Sequence, residues 1–479
     1  MTVGFSIAWP PTVLSSGERM HSPTSAQAGR SEAPWPRAPY AWAIALLLMT
    51  AFTMSYIDRQ VLSLLVTPMK ASLHISDTQV SVLQGLAFGL FYAVMGLPLG
   101  RLADHYNRRN LIVAGIVAWC LMTCLCGLAS TYWQLLAARL GVGIGEATLG
   151  PAAYSIMADY FPANKLPRVI GVYTMGAYFG IALAYMLGGF IVALATAAPP
   201  IVLPWFGVLA AWQVTFIAIG APGLIVAALL LAIREPMRRR GVREITESID
   251  LIPGWTEVFR YALKNWRVYL PLFGGFTLVT LSAYAIVAWT PTLFVRKFGW
   301  KTSEIGLAYG LIIFVFASSA SAVGGHFAAR LFALARPDRA IRMAFWSYAI
   351  LTPFAIAVPL APTPVVTLLL LVVATIAMTW PAAIVPSTVL TLTPNRMRAQ
   401  ISAMYSLMQT IGGLALAPTC VALLTDYVFR SERALPLSLA CVALVATPLG
   451  AAAIWYSQYA VRAAMKALPA ERLRTAGVQ

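Results

Sequence analysis

AWAIALLLMTAFTMSYIDRQVLSLL (Ala41–Leu65) is apolar almost throughout and carries two adjacent charges, Asp58 and Arg59. An α-helix needs about 20 consecutive apolar residues to cross the hydrocarbon of a bilayer, so this stretch reads as a membrane span. Eleven further runs follow the same pattern. Together the expected spans are 40–66, 80–100, 111–130, 132–158, 169–195, 212–233, 268–295, 305–329, 341–360, 364–392, 399–429 and 435–460. The runs are continuous rather than short and alternating, which excludes a β-barrel. The expectation is an all-α membrane protein with twelve transmembrane helices.

Composition agrees with that reading. Of 479 residues, 59% are hydrophobic and only 11% charged, against about 25% charged in a soluble domain. A disordered chain would not carry so much apolar side chain, and 5 Cys are too few for a disulfide scaffold. All five (Cys120, Cys124, Cys126, Cys420, Cys441) fall within apolar runs, where small packing residues are expected. Cys124 and Cys126 point about 200° apart on a helix, so they do not share a metal. No metal or other cofactor is expected.

The net charge of +17 is distributed by topology. With the N-terminus cytoplasmic, 26 of the 34 basic residues lie in cytoplasmic tails and loops, and six (Lys70, Arg296, Lys297, Lys301, Arg430, Arg433) lie on the opposite face. Arg59 and Arg139 are inside spans. This asymmetry places both termini in the cytoplasm and leaves no contiguous soluble basic face for nucleic acid. In a bacterium the chain would sit in the inner membrane.

Residues 1–38 read as a disordered cytoplasmic tail rich in Ser, Pro and Gly; Pro10-Pro11 breaks its only short apolar run, so it is no secretory signal. Residues 39–233 and 268–460 form two six-helix halves, and 461–479 a cytoplasmic C-tail. The connection 234–267 opens with REPMRRR (Arg234–Arg240) and then spaces Trp255, Val258, Phe259, Ala262, Leu263 and Trp266 helically, flanked by Arg260, Lys264 and Arg267. Such a helix either lies on the inner leaflet or packs beneath the bundle. The halves echo each other: Pro151–Ala153 with Pro381–Ala383, Pro162 with Pro394, Arg168 with Arg398, and Gly180 with Gly412, at offsets of 230 to 232. A duplicated six-helix unit is a transporter signature, with the substrate site where the halves meet.

GRLADHYNRR (Gly100–Arg109) after the second span resembles the inner-face signature of the major facilitator superfamily, with Asn107 in place of its usual Gly. The second-half copy, GGHFAAR (Gly324–Arg330), has Ala329 at the acidic position. RLGVGIGE (Arg139–Glu146) resembles the family's RxxxGxG element, and GIALAYMLGG (Gly180–Gly189) loosely matches its antiporter motif without the central Gly-Pro. SYIDRQVLSLL (Ser55–Leu65), GVGIGEA followed by ADYFP, and AWTPTLFVRKFG (Ala288–Gly299) are similar to bacterial members of the spinster branch, whose animal relatives move lysophospholipids and sphingosine phosphate. The resemblance covers about residues 40 to 460. It implies the major facilitator fold, alternating access and acidic proton-coupling positions that match Asp58 and Glu146.

Asp58, Arg59, Arg139 and Glu146 are the four strong charges well inside the spans. Each costs roughly 2.5–3.5 kcal/mol to insert, and intramembrane charges are functional by default. From the outer surface Asp58 lies about 12 Å deep, Arg139 about 10 Å and Glu146 about 21 Å, so Asp58, Arg59 and Arg139 share a level. Two readings compete: a permanent salt-bridge cluster that braces the first half, or an acid pair that takes up and releases a proton as an Arg moves. In the second, Arg59 and Arg139 also attract a phosphate or carboxylate headgroup.

Gly100, Asp104, Arg108 and Arg109 are candidates for a cytoplasmic gate that bridges the halves when the outer side is open; setting topology is the alternative role of the basic members. Tyr56, Gln84, Tyr284, Trp289, Tyr405 and Gln409 are candidate cavity-lining residues, the two Gln because lipid leaves an amide unpaired. The expected function is that of a monomeric secondary transporter in the lipid bilayer, proton-coupled, with a small amphiphilic or anionic organic substrate. An organic-acid symporter and an uncoupled facilitator are the rivals within the class, and a transporter-like membrane sensor is the rival outside it. No GxxxxGK[ST] loop is present for ATP-driven transport. No nucleophile–base pair or metal-ligand set lies at depth, so no catalytic residue is assigned and the chain is not expected to be an enzyme.

Overall fold

A computed structural model describes residues 35–162, 165–204, 207–236, 254–334 and 336–466. The tail 1–34, most of the linker run 237–253 and the C-tail beyond Lys466 lie outside the described residues, and with them the readings made for those stretches.

The first half comprises α1 (Ala38–Leu73), α2 (Asp77–Ser81), a π-turn (Val82–Leu86), α3 (Ala87–His105), α4 (Arg108–Leu128), α5 (Tyr132–Glu146), α6 (Leu149–Tyr160), α7 (Leu166–Ala197), a two-stranded hairpin β1–β2 (Val202–Leu203 with Gly207–Val208), α8 (Ala211–Gly220) and α9 (Gly223–Leu231). The amphipathic α10 (Trp255–Lys264) leads into the second half: α11 (Trp266–Phe298), α12 (Thr302–Ile312), a π-turn (Ile313–Ala317), α13 (Ser318–Ala333), α14 (Pro337–Leu360), α15 (Pro364–Thr379), α16 (Ile384–Leu392), α17 (Arg398–Met408), a π-turn (Gln409–Ala415), α18 (Leu416–Leu423), a π-turn (Leu424–Val428) and α19 (Leu435–Lys466).

Among the described residues, eleven helical segments are long and apolar enough to cross a membrane. The expected fourth span, 132–158, is instead divided into α5 and α6, which turn at Ala147–Thr148. The sequence offers a cause: Gly141, Gly143 and Gly145 weaken this helix locally, and Thr148 turns its hydroxyl onto the Gly145 carbonyl. The first span overshoots its expected end. α1 continues to Leu73, where His74 adopts a left-handed conformation (φ 52°) and donates to the Lys70 carbonyl.

α1 begins and α19 ends at the same end of the bundle, called here the tail end. The halves pack at the opposite, distal end. There a Cβ added to Gly85 would lie 3.1 Å from the Leu414 carbonyl oxygen, and one added to Gly310 would lie 2.8 Å from that of Ala182, so only glycine admits these backbone approaches. Toward the tail end the same interface helices separate: Gly96 on α3, Gly171 on α7 and Gly325 on α13 meet nothing within 4 Å.

Charge holds the distal end shut. Asp77, buried at the start of α2, accepts both guanidinium N–H groups of Arg296 at 2.7 Å and the Lys70 ammonium at 2.6 Å. Glu432 of the second half accepts from Lys70 at 2.6 Å and lies 3.4 Å from Arg296. Thr78 donates its backbone N–H and its hydroxyl to Asp426, each at 2.7 Å. Lys70 and Arg296 are therefore two of the exceptions to the charge asymmetry for a reason: each is paired across the halves. Among the described residues the halves are joined at the distal end and their interface helices diverge toward the tail end.

Candidate functional site

The buried charges sit where α1, α3, α4 and α5 converge. On α1, Ser55 and Arg59 are four residues apart and share a face, whereas Asp58 is rotated about 100° from Arg59. The two adjacent charges consequently serve different neighbours. Asp58 turns to α4, where the Thr123 hydroxyl donates to Oδ2. Arg59 turns to α5: its Nε donates to Glu146 Oε2 at 2.6 Å and its Nη2 to Ser55 Oγ at 3.2 Å. Ser55 donates to the same Oε2 at 2.5 Å.

This corrects the expected arrangement. Depth alone grouped Arg59 with Asp58 and Arg139, but the length of the Arg side chain carries its guanidinium to the deeper Glu146. Arg139, 0% exposed, reaches the backbone carbonyl of Asp58 at 3.4 Å, and no carboxylate lies within ion-pair range of it among the described residues. The cluster is incompletely satisfied. Asp58 Oδ1, Glu146 Oε1 and the Nε and Nη2 of Arg139 are buried without hydrogen-bond partners, in a setting where an unpaired polar atom costs about 1–3 kcal/mol.

Arg59 is the cluster's contact with the interior space. Its side chain keeps 10% exposure against 0% for Glu146. Its guanidinium carbon lies 4.5 Å from the ring centre of Phe88, 4.7 Å from Tyr92 and 4.8 Å from Tyr56, within cation–π range of all three. Tyr56 stacks edge-on with Phe52, and Phe52 continues the aromatic wall to Tyr173 and Tyr154. Ser55, Phe88 and Thr123 were not singled out from sequence. The spacing of Ser55 to Arg59 was available as a signal; Phe88 and Thr123 lie on other helices and had none.

The other candidates divide. Gln84 is buried in the first π-turn with neither amide atom paired. Gln409 donates to Thr277 at 3.0 Å, leaving its own oxygen unpaired. Tyr284 is half-buried, while Tyr405 is buried against Phe273 and Phe276. Trp289 does not line a cavity: it is fully buried and donates to the Pro418 carbonyl at 3.1 Å. An indole so enclosed is a packing residue.

At the tail end, Gly100 lies against Pro151 of its own half. Arg108 is buried and binds Asp159, Glu235 at 2.9 Å, and the Ser155 hydroxyl at 2.9 Å. Arg109 donates to the Ile233 carbonyl at 2.7 Å. Glu235 also accepts the first backbone N–H groups of α4, from Arg108 and Arg109, an anion at a helix N-terminus. In this conformation the two arginines fasten the first half to the head of the linker, and among the described residues their bonds stay on that side. Asp104 is on the last turn of α3; its side chain lies outside the described ones.

A family model described as Major Facilitator Superfamily matches residues 48–418. The chain belongs to that superfamily. It is similar to an MFS-type efflux pump of Mycolicibacterium smegmatis (28% identical, covering 57% of this chain and 58% of that one). It is also similar to a probable L-galactonate transporter of Escherichia coli (25%, 59% and 60%) and to protein spinster homolog 1 of Xenopus tropicalis (30%, 53% and 46%). The chain thus spans about half to three-fifths of the length of these relatives. Among solved structures, a bacterial homologue of the human lysosomal transporter spinster, inward-facing and unoccupied, superposes with a TM-score of 0.74 at 24% identity, covering 91% of this chain and all of that one. A D-xylose–proton symporter superposes at 0.61 and 16% identity. The fold is that of a multi-pass membrane transporter of this superfamily, with spinster proteins among its structural and sequence relatives.

Proposed function

We propose that the protein is a secondary active transporter that carries an anionic, amphiphilic organic molecule by alternating access, coupled to protons through Asp58 and Glu146. In this reading α5 and α6 together form the fourth of twelve crossings, the tail end faces the cytoplasm, and the present conformation is inward-facing. The supporting observation is the incompletely paired cluster under an aromatic cage. Arg59 offers a guanidinium edge to the interior while Glu146 competes for the same group from below.

When Glu146 is ionised it holds Arg59. Protonation of Glu146 removes that competitor and leaves Arg59 free for a carboxylate or phosphate, which it takes by paired N–H donors. Loss of the proton restores the Arg59–Glu146 bond and weakens the substrate's hold. Asp58, bound to Thr123 and beside the unpaired nitrogens of Arg139, is the second proton site. Aromatic rings around Arg59 and the uncharged second-half wall (Tyr284, Tyr405, Gln409) take the apolar part of the cargo, as expected for a lysolipid or sphingoid phosphate. Asp104, Arg108 and Arg109 close the cytoplasmic side in the opposite conformation, after Arg108 and Arg109 exchange part of their present partners.

A second reading keeps the site and shortens the cargo. The galactonate and hexuronate transporters among the relatives share a carboxylate substrate that suits Arg59 equally. Both readings are tested in proteoliposomes holding an internal pH dye, challenged with lysolipids, sphingoid phosphates and sugar acids with and without an imposed gradient. Asp58→Asn and Glu146→Gln each abolish gradient-driven accumulation, and at least one retains binding or exchange. Normal proton-coupled uptake by both variants refutes the coupling scheme, and no proton-linked response to any anion refutes coupled transport and leaves the uncoupled facilitator.

A further inference from the structure

The helix α10 is divided lengthwise into three sectors. At 100° per residue, Trp255, Phe259 and Leu263 fall within an arc of about 80°, with Trp266 just beyond the helix on the same side. All four are exposed. Arg260, Lys264 and Arg267 fall together in the next arc, about 120–180° from Trp255, and are also exposed. The third sector holds Val258 and Tyr261, which are buried against the second half. Glu257 adds a tether, pairing at 3.0 Å with Arg396 in the turn that begins α17, and Asn265 alone separates the helix from α11.

One sector is thus packed against protein, and the other two are exposed. The apolar sector carries two Trp and a Phe, large side chains that water would leave solvated at a cost, in a position flanking a membrane span. Trp is enriched where hydrocarbon meets headgroups. The neighbouring sector carries Arg260, Lys264 and Arg267, and the one acid at its border, Glu257, is engaged by Arg396. We propose that α10 is a binding surface for anionic phospholipid headgroups of the leaflet at the tail end. Its apolar sector enters the acyl boundary, its basic sector reads phosphate charge, and its protein sector ties the second half to that leaflet. This is independent of which cargo the central site carries.

The test uses the full-length protein in nanodiscs of phosphatidylcholine alone or with phosphatidylglycerol. Native mass spectrometry then counts the phosphatidylglycerol retained after release. Arg260→Gln with Lys264→Gln lowers retention by about fivefold per charge removed. Arg336→Gln with Arg339→Gln, at the head of α14 outside this helix, leaves it near wild type. In parallel, a spin label at Leu263→Cys is relaxed by oxygen dissolved in the acyl chains and shielded from a water-soluble nickel chelate. Equal loss of lipid in both double variants reduces the effect to net charge and overturns the proposal. A label at 263 open to the nickel chelate overturns it too, and points to a soluble partner on this face.

Discussion

Replacing Asp77 with Asn removes the centre of the distal closure without altering its shape. The carboxylate accepts three charge-assisted hydrogen bonds, two from Arg296 at 2.7 Å and one from Lys70 at 2.6 Å, with its own side chain fully enclosed. A hydrogen bond to a charged group is worth about 1.5–3 kcal/mol, and stranding the partners of a buried ion pair costs about 3–5 kcal/mol. Two features reduce the loss here. Arg296 and Lys70 are 12% and 13% exposed, and Glu432, 59% exposed, remains to share them. A net loss of about 2–4 kcal/mol follows. Asp77 and Arg296 belong to different halves, so the loss falls on the distally closed state; in the distally open state both side chains reach water.

The ratio of closed to open at that end therefore drops by about 30-fold to nearly 1,000-fold, at 1.4 kcal/mol per decade. Spin labels at Ala71→Cys and Arg433→Cys, with the five native cysteines replaced, bracket the closure, and pulsed dipolar spectroscopy reads the distance distribution. The wild type gives a short-distance majority and Asp77→Asn a long-distance one. Arg296→Lys retains charge but loses the fork and falls between them. An unchanged distribution in Asp77→Asn, with thermal stability preserved, would mean that packing alone closes this end and would refute the electrostatic argument.

Two further outcomes follow from geometry. Arg59→Lys weakens an anionic cargo more than a neutral analogue with the same tail, because Arg59 is the cluster residue open to the interior. Arg139→Lys affects both cargoes alike, because Arg139 is enclosed; paired binding measurements at one pH separate the two. Gly85→Val places side-chain carbons about 3.1 Å or less from the Leu414 carbonyl group across the halves. It opens the distal end in the same dipolar assay while leaving the melting temperature of the first half's packing little changed.

Hydropathy made the apolar helical segments and the four interior charges legible because each is a property of consecutive residues. The split of the fourth span was not, since Gly141, Gly143 and Gly145 read equally as features of one continuous span and the break falls only at Ala147–Thr148. The partners of the charges were legible only in part. Helical phase places Asp58 and Arg59 on different faces, but whether Arg59 meets Glu146 or Arg139 depends on side-chain reach and on how α1 crosses α5. Trp289 illustrates the opposite limit: an aromatic in a span reads the same whether it lines a cavity or, as here, fills the core and caps the Pro418 carbonyl. The distal network escaped because its members are scattered over Lys70, Asp77, Arg296 and Glu432, and sequence reading counted the basic ones only as exceptions to a topology rule.

The π-turns connect the duplication to the motion. Val82–Leu86 and Ile313–Ala317 are 231 positions apart, within the 230 to 232 range at which Pro151, Arg168 and Gly180 have counterparts in the second half. Each sits in an interface helix near the level where the halves touch, and a third, Gln409–Ala415, packs against the first through Gly85 and Gly89. A π-turn loosens the i→i−4 ladder and is often found at functional sites. An accident of one helix would not recur at the matching place in its duplicate, so these turns belong to what the two halves share. The deep charges do not: Asp58, Arg59, Arg139 and Glu146 all belong to the first half, and the second answers with Tyr284, Tyr405 and Gln409. The halves thus have one π-turn position in common, while the deep charges on which the proposed coupling scheme rests lie in the first, and it is to that half that substitutions testing the scheme should be directed.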